Sequence, residues 1–93
     1  MPWERVYLSE GEQSNALHAA DSRDCTRNDM AEIYADCIIA DGLARLAGRA
    51  RVDFAIVNRA ILRRWPKGLT CIKEHAWRIV EMREVRIPGE VTN

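Results

Sequence analysis

Hydrophobic residues recur every three or four positions through much of the chain, a spacing that is typical of amphipathic helices rather than strands. One stripe ends before Pro66, and because proline disfavours helical geometry at the preceding residue, we predict that this helix ends at Trp65. A second stripe predicts a last helix from about Thr70 to about Val85. The inward residues are Phe54, Val57, Ile61 and Trp65 in the first stripe, and Leu69, Ile72, Ala76, Ile79 and Val80 in the second.

The hydrophobic pattern between residues 29 and 47 inverts part-way along. Up to Ile38 the apolar side lies opposite an acidic side, at about 100° per residue. After Ile38 the apolar residues fall on the side that was acidic, which is formed by Asp29, Glu32 and Asp36. One straight helix would need a core on both faces, whereas a break at Asp41-Gly42 lets each piece bury its own apolar side. We therefore predict two helices, at about residues 29–40 and 43–47.

Helix-boundary signals divide the rest of the chain. Ser9 and Glu12 have the spacing of a capping box, which predicts a helix over about residues 10–20. Gly48 suits the position after a helix, and Asp53 suits the N-cap of the next one. Together the patterns predict an all-α fold of four to five short helices in a compact bundle. Residues 1–8 form an N-terminal arm, residues 9–85 a single helical domain, and residues 86–93 a C-terminal tail.

Composition narrows the class of protein. Ninety-three residues, of which 47% are hydrophobic, suffice for one modest core. No apolar run approaches the roughly 20 residues that a membrane-spanning helix needs. The three cysteines, Cys25, Cys37 and Cys71, lack the spacing of a disulfide framework, which favours a reducing compartment. We expect a cytoplasmic protein without a membrane partner.

Charge is distributed unevenly, although the net charge is zero. Residues 1–42 carry nine acidic and three basic side chains, a net of −6, and residues 43–93 carry five acidic and eleven basic ones, a net of +6. The acidic half of one copy can meet the basic half of another, so we predict a homo-oligomer whose association weakens in salt. Most of the excess falls within residues 43–67, a footprint for phosphate or for an acidic protein, unless the arginines form a solvated face or the acidic half covers them.

Two hypotheses for this basic segment use nearly the same residues. Helices at 43–47 and 54–65 have the apolar and glycine spacing of a helix-turn-helix, in which two arginines would face base edges and the other cations would lie near phosphates. Two features oppose that match, because Arg49 occupies a usually apolar turn position and the turn before Asp53 is about two residues too long. Exposed apolar residues among the arginines suit a protein partner at least as well. The predicted partner- or nucleic-acid-binding residues are Arg49, Arg51, Ile56, Arg59, Leu62, Arg63 and Lys67.

Other candidate chemistry is weak. Cys71 and His75 lie one helical turn apart and could share a zinc ion, but no further ligands have a paired spacing. As nucleophile and base the same pair lacks a third group and an oxyanion donor. Trp65 and Trp77 could stack on single-stranded nucleic acid, yet both adjoin apolar stripes and are predicted to pack in the core. We predict no enzymatic activity, no metal and no cofactor.

Residues 58–77 carry a pattern of a helix, a proline-glycine corner and a second helix. Its positions are Asn58, Ala60, Ile61, Arg64, Trp65, Gly68, Leu69, Ile72, Lys73, Ala76 and Trp77. The pattern resembles a helix pair in small uncharacterised phage and prophage proteins. The resemblance implies a mobile-element setting, in which short proteins commonly block or redirect a host machine or act as compact repressors.

The leading functional hypothesis is therefore a phage-type accessory protein without enzymatic activity. It would inhibit a host protein or a nucleoprotein complex by occlusion, using the outer face of residues 55–63 as its contact surface. The alternative is a helix-turn-helix transcriptional regulator that binds duplex DNA.

Overall fold

The structure is a computed structural model that describes residues 6–83. Four helices occupy this part of the chain: α1 (Ser9–Asp21), α2 (Arg27–Leu46), α3 (Phe54–Arg64) and α4 (Leu69–Met82). The prediction of an all-α bundle of four to five helices is confirmed. None of these helices is long and apolar enough to cross a membrane. The predicted tail at residues 86–93, residues 1–5 of the predicted arm, and Val85 lie outside the described residues.

Helix α2 runs without interruption through Asp41 and Gly42, so the predicted break is wrong. This helix is the centre of the bundle and packs most extensively against α4 and α1. Met30 and Ile39 are nine residues apart, which places them on opposite sides of the helix, and both are buried. The inverted hydrophobic pattern therefore reflects one helix with neighbours on both sides.

The capping box lies at the start of α2 rather than α1. The Thr26 hydroxyl accepts a hydrogen bond from the N–H of Asp29 at 3.1 Å, and the Asp29 carboxylate accepts one from the N–H of Thr26 at 3.0 Å. These two bonds lower the pKa of Asp29, and the bond from the Thr26 backbone has the larger effect. Ser9, the predicted cap of α1, is already its first helical residue, and its hydroxyl donates to the carbonyl oxygen of Ala50.

The boundaries on either side of the α2–α3 loop follow the sequence prediction. Gly48 has a φ of +66°, the left-handed conformation of a glycine after a helix. The N–H of Arg49 donates to the carbonyl oxygen of Ala44 at 2.8 Å, which closes α2. Asp53 caps α3 by accepting from the N–H of Ala55 at 3.1 Å. Both boundaries are set by residues close to them in the sequence.

The hydrophobic core lies between all four helices, and α3, which packs chiefly against α1, contacts α2 through the Tyr34 side chain. Tyr34 of α2 contacts the ring of Phe54, with ring centroids 5.5 Å apart, and its hydroxyl donates to Asn58 Oδ1 at 2.8 Å. Burial, reinforced by the nearby Cys37, raises the pKa of Tyr34 to about 12, so its phenol is neutral at physiological pH. The largest fully buried side chains are Met30, Ile61, Ile72, Val57 and Cys37.

Asp36 and Trp77 do not lie where the sequence pattern predicts. Asp36, predicted on an exposed acidic side, is 5% exposed and pairs with Arg83 just after α4. Trp77, predicted in the core, is 51% exposed. Trp65 does pack against the core, as predicted.

Candidate interaction surface

The buried residues of α3 determine which of its side chains face outward. Val57 and Ile61 are completely buried, so the helix cannot rotate without exposing them. The opposite side carries what we call the α3 face, defined as Ile56, Arg59, Leu62 and Arg63, all of which are exposed. This orientation agrees with the predicted outer face of residues 55–63.

The α3 face alternates apolar and cationic side chains. Arg59 lies three residues from both Ile56 and Leu62, a spacing that makes neighbours on a helix. Ile56 is 38% exposed and Leu62 is 42% exposed, so both aliphatic side chains reach solvent on the same side of the helix as the two arginines. The result is a surface with two apolar anchors around a guanidinium group.

The positive charge of this surface has no ion-pair partner among the described residues. Within residues 6–83, no acidic group forms an ion pair with Arg59, Arg63 or Lys67. Lys67 is exposed in the corner between α3 and α4. Asp53, the acidic residue nearest in sequence to Arg59 and Arg63, caps the start of α3 instead. The three cations therefore remain available to an anionic partner.

Arg51 does not belong to this available set. Its guanidinium makes two hydrogen bonds to the Asp41 carboxylate, at 2.8 and 3.1 Å, and the same carboxylate accepts from the N–H of Val52 at 3.1 Å. The hydrogen bonds between the two side chains lower the pKa of the Asp41 carboxyl group and raise the pKa of the Arg51 guanidinium group. This predicted phosphate contact instead attaches the loop to α2. Arg49 is exposed in the same loop.

Arg64 also has a structural position that the sequence does not reveal. Its guanidinium donates to backbone carbonyl oxygens in the α1–α2 connection, at 3.0 Å for Arg23 and Cys25 and also to Ser22. The guanidinium carbon lies 4.8 Å from the centre of the Trp65 ring. Arg64 thus links the end of α3 to the corner between α1 and α2.

The first helix of the predicted helix-turn-helix is not a separate helix in the structure. Residues 43–47 do not form a separate element, because residues up to Leu46 belong to α2. The connection to α3 spans residues 47–53, longer than the turn of about three to four residues in that motif. With Arg51 paired as well, the described residues lack both the separate first helix and one of the predicted phosphate contacts.

The paired cysteine and histidine do not form part of a larger cluster. Cys71 is exposed and His75 is partly buried. Across residues 6–83, no group of three or more histidine, cysteine or acidic side chains is positioned to hold a metal ion. The candidate site is therefore the α3 face with Lys67. Helical periodicity predicted the outward orientation of the α3 face, and the charge pattern added Lys67. The structural positions of Arg51 and Arg64, in contrast, depend on residues distant in sequence.

No family model, curated protein or solved structure matches the chain.

Proposed function

We propose that this chain is a small non-enzymatic binding protein that inhibits a macromolecular partner by covering it with the α3 face. The partner surface would be acidic with shallow apolar pockets, on a host protein or a nucleoprotein complex in the cytoplasm. The observation that carries the proposal is the exposure of Ile56 and Leu62 on either side of Arg59. The phage-type setting is part of this proposal and rests on the sequence pattern of residues 58–77 alone.

A protein partner fits this surface better than duplex DNA does. The centre of a protein interface combines apolar anchors with arginine, whereas protein–DNA interfaces are more polar and much more positively charged. The α3 face with Lys67 offers three cations, and the whole chain has no net charge. The two aliphatic side chains on either side of Arg59 would contribute little against a phosphate backbone.

Binding experiments on two variants of the face would test the proposal. The variants are the charge reversal Arg59→Glu with Arg63→Glu, and the apolar disruption Leu62→Glu. A matched control is Arg23→Glu with Arg78→Glu, which reverses two exposed arginines elsewhere on the surface. Each protein would be immobilised for capture from host lysate, and each would be titrated against random-sequence duplex DNA across salt concentrations.

We expect the wild type and the control to retain the same host protein, and both α3-face variants to lose it while keeping their helical circular dichroism. Equal capture by the α3-face variants would remove this face from consideration. DNA affinity that falls steeply with salt and is unchanged by Leu62→Glu would instead support a nucleic-acid regulator, because it would report phosphate neutralisation.

A further inference from the structure

We draw no further inference here: the strongest candidate, the open apolar groove between residues 38–46 of α2 and Val80 of α4, carries none because nothing in the structure shows what covers it.

Discussion

Asp41 and Arg51 form a two-pronged ion pair between α2 and the loop that precedes α3. Their nitrogen–oxygen distances are 2.8 and 3.1 Å, and the Asp41 side chain is only 13% exposed. The same carboxylate accepts the N–H of Val52, so one side chain fixes the path of the loop. The contact lies beside Gly42, where α2 is most easily interrupted, and helps to hold the helix and loop in one arrangement.

Replacing the carboxylate in Asp41→Asn should lower stability at about pH 7 and leave it unchanged in strong acid. The bond from Arg51 depresses the pKa of Asp41 below its usual 3.8, so the charged form stabilises the native state above that pH. The contribution disappears as pH falls through the depressed native pKa. Urea midpoints measured between about pH 7 and pH 2 should therefore converge for wild type and variant. The control Asp24→Asn changes an exposed carboxylate, so its urea midpoint should stay close to that of wild type throughout this pH range.

Gly42→Ala should stabilise the fold by about 1 kcal/mol, because alanine is the better residue inside a helix. The added methyl group meets no neighbour within 4 Å. Urea unfolding of wild type and Gly42→Ala at about pH 7 measures the difference.

The matched control for that substitution is Gly48→Ala. Gly48 also has open space around it, but its φ is +66°, so a side chain there costs about 1–2 kcal/mol of backbone strain. Opposite signs for the two glycines would establish that conformation, and not space, decides the effect. A destabilising Gly42→Ala would contradict the unbroken α2 helix.

Arg64→Ala should lower stability by about 2 kcal/mol, whereas Arg63→Ala should change it by less than about 0.5 kcal/mol. The difference arises because the guanidinium of Arg64 serves several backbone carbonyls of the α1–α2 connection, while Arg63 is exposed. Arg64→Lys keeps the charge but lacks the planar fork of donors, so it should recover only part of the loss. Full recovery in Arg64→Lys, measured by urea unfolding, would show that charge alone matters.

The features that sequence predicts well are those decided by neighbouring residues. Gly48 ends α2 and Asp53 begins α3 through bonds to residues within a few positions, and Pro66 stops α3 by local sterics. The orientation of the α3 face followed from helical periodicity alone. These predictions need no knowledge of the tertiary neighbours.

The predictions that were wrong depend on packing between distant segments. α2 continues through Gly42 because α1 and α4 provide a core on different sides of it, which periodicity interprets as two helices. Ser9 has the correct spacing for a cap but bonds to Ala50, 41 residues away. Likewise, Arg51 was predicted to be available to a partner, but Asp41 on another element forms an ion pair with it.

The effect of Tyr34→Phe on stability should change sign between neutral and strongly alkaline pH. At about pH 8 the wild type should be more stable by about 1 kcal/mol, because its hydroxyl donates to Asn58 and the variant leaves that acceptor unpaired. Burial raises the pKa of Tyr34 from 10.0 to about 12, so the native state favours the neutral phenol and its advantage is lost as pH rises through this interval. Comparing wild type and Tyr34→Phe at each pH cancels the titration of lysine and cysteine groups that both proteins share. We expect the stability difference to narrow above pH 10.0 and to change sign toward pH 12. A difference that stays constant over this range would mean that the Tyr34 phenolate is accommodated without loss, contrary to its burial against α3.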